Sequence, residues 1–280
     1  MRTITPRLKY LIATLSLIAV MQQHVLADGF PVRPKTLVIN PSISYFVATK
    51  YWDSVRRLQP FPQNGKFTAL TMSLFAEYGI SRRWYLVALL PYTTNTYTQG
   101  GVNTVNQGFT DLETGLRYYL ANISYKYYIM LQGTVITPLY TNPNLGYGLT
   151  GAELRLSFAG SGHLFGLPSY FSLENGVRQY FGSNGPIQDR YNGSYGITLD
   201  KGFHNQISLS LGGIYSTSNF KKFVVNPALD KDFAFNQVSL SYGHSFSRQF
   251  SVFVGGSKFI NGRNTGDGSS VSFGLVIKTL

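Results

Sequence analysis

The chain has 280 residues, of which 44% are hydrophobic and 15% aromatic, while only 13% carry a charge. This balance excludes a disordered chain, which would be poor in apolar residues, and a bundle of membrane helices, which would contain long apolar runs. Lysine and arginine outnumber aspartate and glutamate by 24 to 12, and cysteine is absent. Stability must therefore come from packing and backbone pairing, because disulfides are excluded.

The first element along the chain is a short apolar run. Residues 10–20, YLIATLSLIAV, follow three basic residues and precede a segment that ends at Ala27, a small residue that suits a cleavage site. Eleven apolar residues are too few to cross roughly 30 Å of hydrocarbon as a helix. The pattern predicts a secretory signal peptide, residues 1–27, and a single domain of residues 28–280. A retained membrane anchor is the alternative.

From residue 42 onward, apolar and polar residues alternate with period two. In TALTMSLFAEY, residues 68–78, Leu70 and Leu74 fall on one face of an extended strand, and Ser73 and Glu77 fall on the other. Successive side chains of a strand point to opposite faces, so this alternation predicts strands with one apolar and one polar face. Twelve strands are predicted, near residues 42–52, 66–79, 83–94, 108–120, 124–138, 149–159, 168–181, 190–200, 204–216, 233–246, 249–260 and 269–280.

The connections between these strands alternate in length. The short ones are residues 79–83, 121–124, 200–205 and 245–249, and the long polar ones are residues 93–108, 139–150 and 217–232. Short turns at one end and long loops at the other are typical of outer-membrane barrels. The segment 160–168 is predicted as a turn at the short end, although it is longer than the others there.

The segment GFTDLETGLRYYL, residues 108–120, shows why a barrel is favoured. Leu112 and Leu116 share one face, while Asp111, Glu113 and Arg117 share the other. A closed barrel satisfies its backbone groups between strands, so it can turn an apolar face to lipid and a charged face to its lumen. On the lipid face at mid-membrane such charges would cost roughly 2–4 kcal/mol. The predicted fold is all-β, a transmembrane antiparallel up-and-down β-barrel of about 12 strands; a soluble two-sheet sandwich is the alternative.

The same alternation selects candidate residues for the lumen. The predicted lumen-lining residues are Glu77, Asp111, Glu113, Arg117, Lys126, Glu153, Arg155, Glu174 and Arg178. They could form a selectivity ladder for a permeating solute, or a charge network that holds the interior together and blocks it. Twelve strands lie between the eight that side chains can fill and the 16–18 that leave a wide channel, so barrel size leaves both interpretations open.

One stretch resembles a known family. Residues 89–120 contain a Leu-Pro-Tyr strand end, a polar loop, and Gly-Phe-Thr-Asp leading into Gly-Leu-Arg-Tyr-Tyr, and the preceding EYGISRRWYLVALLPY is similar in the same way. This stretch resembles the outer-membrane family associated with the meta-cleavage pathway of phenol degradation. The resemblance implies a barrel that admits small hydrophobic or aromatic compounds. It supplies no catalytic residues.

The histidines do not support an enzyme. A barrel hydrolase needs a base within hydrogen-bond reach of its nucleophile. His163 and His204 fall in predicted turns at the short end, and His244 falls on the predicted lipid face near such a turn. None lies at the level of the outer leaflet, and no CxxC or HExxH motif suggests a metal. We therefore expect no enzyme activity, no cofactor and no metal.

Basic residues in the predicted loops could contact phosphates of the outer-leaflet glycolipid. They are Arg56, Arg57, Lys66, Lys221, Lys222, Lys231 and Arg263. No nucleic-acid-binding module is recognisable, so the expected partners are membrane lipid, glycolipid and a small-molecule solute. The last strand is expected to close the barrel on the first, near Ser42 to Trp52, with Leu280 replacing a terminal aromatic residue.

The sequence favours a passive uptake channel in the outer membrane of a Gram-negative bacterium, for small hydrophobic or aromatic solutes. A closed structural or adhesive barrel, whose long loops bind a partner, is the alternative. A channel conducts ions across a bilayer and a closed barrel does not, so the two hypotheses differ in a measurable property. The oligomeric state stays open.

Overall fold

The computed structural model describes residues 30–221 and 229–279, so the predicted signal peptide, Lys222 and Leu280 lie outside the described residues. The described strands are β1 (Leu37–Trp52), β2 (Leu58–Pro60), β3 (Lys66–Gly79), β4 (Trp84–Gln99), β5 (Val102–Phe109), β6 (Asp111–Ile123), β7 (Tyr127–Pro138), β8 (Gly151–Leu164), β9 (Leu167–Tyr180), β10 (Ile187–Thr198), β11 (Asn205–Thr217), β12 (Ala234–Ser245), β13 (Phe250–Arg263) and β14 (Thr265–Lys278). A 3-10 turn covers Pro62–Asn64. The described part of the chain holds no helix with the length and apolar character to span a bilayer.

These elements form one closed antiparallel barrel with twelve strand positions around its wall. Each strand pairs with its neighbour in the chain, and β14 pairs with β1 from Val38 opposite Lys278 to Trp52 opposite Thr265. The short β2 only extends the end of β1. Strands β5 and β6 both pair with β4, so together they occupy one strand position, which is interrupted at Thr110. The predictions of about twelve strands and of closure by the last strand on the first are therefore confirmed.

The two faces of the barrel wall differ as the alternation predicts. Leucines such as Leu74, Leu154 and Leu209 are exposed on the outside, whereas Glu77 and Ser157 on the inside are buried. Because closure leaves no unpaired strand edge, the wall can face hydrocarbon while polar groups remain inside. The fold is that of a transmembrane outer-membrane barrel, a class found in the outer membrane of Gram-negative bacteria.

Two predicted connections are strands instead. The prediction of a loop over 93–108 is wrong: β4 continues to Gln99, and β5 returns from Val102 after a turn at Gly100 and Gly101 with φ of 57° and 82°. Such positive angles are typical of two-residue hairpin turns, which glycine favours. Beyond the hydrocarbon the outer face need not be apolar, so the alternation that predicted the other strands is absent here.

The predicted turn over 160–168 is likewise mostly strand. Strand β8 runs to Leu164 and β9 begins at Leu167, so only Phe165 and Gly166 form the turn, with φ of 51° and 77°. His163, predicted in a turn, therefore lies in β8. This connection is a tight hairpin like the other turns at its end of the barrel.

An amino-terminal strap, residues 30–36, crosses the short-turn end of the lumen. The Phe30 ring meets the Tyr128 ring edge to face, with centroids 5.6 Å apart. Val32 packs against a buried cluster that includes Phe253. Tyr128 is on β7 and Phe253 is on β13, which face each other across the barrel in the strand order. The strap therefore bridges opposite walls.

Gly79 allows the strap to approach the wall this closely. The Lys35 amide donates to the Gly79 carbonyl at 2.6 Å, and the Gly79 amide donates to the Thr36 carbonyl at 3.0 Å. A Cβ atom at Gly79 would lie 2.3 Å from the Arg33 carbonyl oxygen, which is well inside contact distance. Any larger residue at this position would push the strap away from β3.

Single cysteines test the orientation of the wall. We expect cysteines at Leu154 and Leu209 to react with a lipid-soluble thiol reagent, and cysteines at Arg155 and Ser208 to react with a small water-soluble one, because successive side chains alternate between lipid and lumen. The measurement is labelling in intact outer membranes, and the chain has no native cysteine to add background. Equal labelling of adjacent positions by both reagents would contradict the barrel orientation.

Candidate functional site

The charged side chains of the inner wall converge on one carboxylate, that of Glu153 on β8. Its Oε1 accepts hydrogen bonds from Arg155 Nη2 at 2.6 Å and Nε at 2.9 Å. Its Oε2 accepts from Arg178 Nε at 2.6 Å and from Arg190 Nη1 at 3.2 Å. The Glu153 side chain is only 1% exposed, and three guanidinium groups surround it.

Strand register produces this arrangement. Glu153 is directly opposite Arg178 in the β8–β9 ladder. Directly opposed side chains of an antiparallel pair are close enough to interact, and diagonal neighbours lie within reach of long side chains. Arg155 shares the inner face of β8 with Glu153, and Arg190 reaches Glu153 from β10. The cluster is therefore a consequence of three neighbouring strands.

The network extends to both sides of Glu153. Arg178 Nη2 donates to Glu113 Oε1 at 2.7 Å, although Arg178 is on β9 and Glu113 is on β6, three strand positions away around the barrel. Arg155 Nη1 donates to Glu174 Oε2 at 3.4 Å, and Ser157 donates to the other oxygen of Glu174 at 3.1 Å. Together with the bond from Arg190 to Glu153, these bonds link β6, β8, β9 and β10 along the inner wall of the barrel.

A second ion pair lies nearer the short-turn end. Arg117 Nη1 is 3.2 Å and 3.3 Å from the two carboxylate oxygens of Glu77, and both side chains are buried. Arg117 Nε donates to Gln132 Oε1 at 2.9 Å, and Gln132 in turn donates to Thr134 at 3.0 Å. This chain of bonds fixes the Arg117 guanidinium against the wall.

The loop of residues 139–150 folds over the outer mouth. Tyr147 packs edge to face on Tyr180, with ring centroids 4.9 Å apart, and its hydroxyl donates to the Asp230 carbonyl at 2.8 Å. The Tyr180 hydroxyl donates to Asp111 at 3.2 Å, which links the loop to the charged wall below. Burial raises the pKa of the Tyr147 phenol, so its hydroxyl stays a neutral donor.

Two of the basic residues that could contact glycolipid phosphates pair with Asp232. Arg263 Nη1 lies 2.7 Å from Asp232, and Lys221 lies 3.1 Å from it. Burial raises the pKa of Asp232, but hydrogen bonds from these two cations outweigh that effect and hold the pKa below its ordinary value. Lys231 lies over the Tyr147 ring at 5.8 Å from its centroid. These contacts join the described ends of the 217–232 loop to β13 and to the loop of residues 139–150.

Eight of the nine predicted lumen residues lie on the inner face, in the network or beside it. Lys126 is the exception and a correction: it is an exposed residue of the turn between β6 and β7, because β7 begins at Tyr127 and not at residue 124. The sequence interpretation missed Arg190, which it placed at the first position of a strand. Alternation with Asn192 and Ser194 along β10 could have assigned Arg190 to the inner face.

The described residues show no group of three His, Cys, Asp or Glu side chains that could hold a metal. His204 lies in the turn between β10 and β11, where its backbone amide donates to Asp200. Backbone bonds from His204 and Asn205 lower the pKa of Asp200 to about 2. His244 bonds to Asn205 at the same end of the barrel. These contacts serve turn structure.

Solved structures share this architecture. An outer-membrane channel from Pseudomonas putida F1 superposes with a TM-score of 0.69 at 11% identity, covering 92% of this chain and 100% of that one. The NanC porin superposes at 0.53 with 8% identity, covering 86% and 100%. The translocator domain of the autotransporter NalP from Neisseria meningitidis superposes at 0.52 with 12% identity, covering 97% and 94%. No family model and no curated protein sequence matches the chain. At such identities the similarity establishes the barrel fold.

Removal of the Glu153 carboxylate should destabilise the barrel. We expect Glu153→Gln to lower the free energy of unfolding by about 3–5 kcal/mol, because it leaves three guanidiniums without their shared buried carboxylate. Urea unfolding in lipid vesicles measures this change. The control is Asp267→Asn, which removes an ion pair to the half-exposed Lys258 and should cost less than about 1 kcal/mol. Equal effects of the two substitutions would show that the cluster does not stabilise the barrel.

Proposed function

We propose that this chain is an outer-membrane channel for the passive uptake of small solutes with hydrophobic or aromatic character. One observation carries the proposal: the inner wall has both a charged surface and an apolar one, and a cavity of about 150 Å³ lies between them. A barrel that served only as a scaffold would gain stability by filling this space with side chains, because an unfilled cavity lowers the stability of a packed interior.

Three parts of the structure lie along the candidate path. The loop carrying Tyr147 covers the outer mouth, the Glu153 cluster occupies the middle, and the strap at Phe30 crosses the short-turn end. Loops and terminal segments move more easily than strands held by a closed ladder. We infer that the outer loop and the strap are the parts that open, while the charged wall stays fixed and selects the solute.

The structural neighbours support this proposal in their stated roles. One is an outer-membrane channel and another is a porin, and both are matched over their whole length. The family resemblance of residues 89–120 adds the expectation of hydrophobic or aromatic solutes. We propose the role of a channel for this chain as well.

A closed barrel whose loops bind a partner is the second candidate. The observation that favours it is the packing of the outer loops, in which Tyr147 bonds to the Asp230 carbonyl and Asp232 pairs with Lys221 and Arg263. Similarity to an autotransporter translocator domain is compatible with this role. The two candidates differ in conductance, since only the channel passes current at rest.

Charge reversal on the inner wall tests the channel. We expect Arg155→Glu to shift the ion selectivity in planar bilayers toward cations, because Arg155 is one of the cations most exposed to the lumen. The reversal potential in a KCl gradient measures this shift. Lys201→Glu makes the same charge change in an exposed turn and should leave the potential almost unchanged.

One outcome would contradict the channel, and another would contradict the role of the charged wall. A wild-type barrel that passes no current would support the closed barrel, and Arg155→Glu would then lower stability or open a leak by leaving charges unpaired. A conducting barrel whose selectivity ignores Arg155→Glu would remove the charged wall from the permeation path.

Loosening the strap should raise the conductance. We expect Phe30→Ala to increase the mean single-channel current, because it removes the contact with Tyr128 that anchors the strap to β7. Phe165→Ala is the matched control, since Phe165 is at the same end of the barrel and 95% exposed in a turn. Equal currents for the wild type and Phe30→Ala would show that the strap does not restrict the path.

A further inference from the structure

The cavity in the lumen has two chemically different walls. Phe75 on β3 and Val87 and Leu89 on β4 form an apolar surface, and Phe75 and Leu89 are a directly opposed cross-strand pair. The cavity is also lined by Arg155 on β8 and Arg190 on β10, strands on the other side of the barrel, and by Arg117, whose guanidinium pairs with Glu77 on β3. A dry cavity of about 150 Å³ holds one benzene molecule, so this space is the size of a single small ring.

The polar wall presents mainly positive charge to the cavity. The side chains of Arg190 and Arg155 are 29% and 17% exposed, whereas Glu153 is 1% exposed and Glu174 is 9% exposed. Glu153 and Glu174 are thus less exposed than these two guanidiniums, whereas Glu113 is 18% exposed and its Oε1 lies 4.0 Å from Arg190 Nη1. Glu113, which also lines the cavity, is held by Arg178 through a bond of 2.7 Å. The cavity therefore faces three cations and one anion.

Arg190 has donors to spare. A guanidinium carries five N–H groups, and within the described residues Arg190 uses one of them, in the bond of 3.2 Å to Glu153. Its position is the most exposed among the four arginines of the network. The remaining N–H groups can bind a planar carboxylate through two parallel bonds, a geometry that arginine favours.

We propose that this cavity binds a small monocarboxylate with a flat apolar body, such as an aromatic acid. The carboxylate lies against Arg190 and Arg155, and the ring lies against Phe75 and Leu89. An uncharged ring leaves the remaining N–H groups of Arg190 unused, and a short carboxylate leaves the apolar wall empty. A second carboxylate on the far side of the ring would meet the apolar wall, so aromatic diacids are disfavoured.

This proposal deepens the proposed function, on which it rests for the route by which a solute reaches the cavity. It narrows the solute from hydrophobic or aromatic compounds in general to those that also carry one negative charge. Binding to the purified barrel in detergent can be measured without conduction, so the cavity and the channel can fail separately.

The experiment is calorimetric titration of the detergent-solubilised barrel with sodium benzoate, sodium acetate and benzyl alcohol. We expect benzoate to bind about tenfold or more tightly than either of the others, since only benzoate satisfies both walls. Arg190→Gln should weaken benzoate about tenfold or more, because it removes a charged bidentate donor. Leu89→Asn should weaken benzoate but not acetate. Lys201→Gln, in an exposed turn, should change neither.

The contrary results are equally specific. Benzyl alcohol that binds as tightly as benzoate, or benzoate binding that Arg190→Gln leaves unchanged, overturns the proposal. If Arg190→Gln fails to fold, Arg190→Lys decides instead: a weakened benzoate affinity supports the proposal, and an unchanged one overturns it. A wild type that conducts KCl but binds no benzoate overturns the cavity proposal alone, whereas one that binds benzoate without conducting overturns the channel alone.

Discussion

The carboxylate of Glu153 is the interaction on which the interior of this barrel depends. Three guanidiniums from three strands share it, and removal of their common partner would leave buried charge that neither water nor another side chain compensates fully. Glu153 is buried, whereas two of its partners, Arg155 and Arg190, are partly exposed. The same set of bonds that stabilises the interior therefore also gives the lumen surface its sign.

Closure of the β14–β1 seam makes such an interior possible. In hydrocarbon each backbone amide and carbonyl needs a partner within the protein, and a closed ladder supplies it while the side chains divide between two faces. Leu154 can then face lipid while its neighbours Glu153 and Arg155 remain inside. The apolar Phe75 and Leu89 depart from the polar character of the lumen, and they do so opposite the arginines.

The period-two pattern predicted most of this architecture because strand side chains alternate whatever their neighbours are. It assigned Glu153, Arg155 and Arg178 to one face. A closed barrel in turn requires the last strand to pair with the first. It did not predict the contacts of Tyr147, the strap at Phe30 or the pairing of Arg263 with Asp232, because each joins segments that are distant in sequence. Arg190 was missed because the predicted strand began at residue 190, where alternation is hardest to assign, whereas β10 begins at Ile187.

The apolar wall and the charged wall together define a lumen that discriminates by sign and by shape, and its sign is the most direct test of the account. The measurement is the reversal potential of the wild-type barrel in a planar bilayer under a KCl gradient. Because three arginines and one glutamate line the cavity while Glu153 is buried, a preference for chloride over potassium is predicted. A clear preference for potassium would show that the carboxylates, and not the arginines, face the permeating ions.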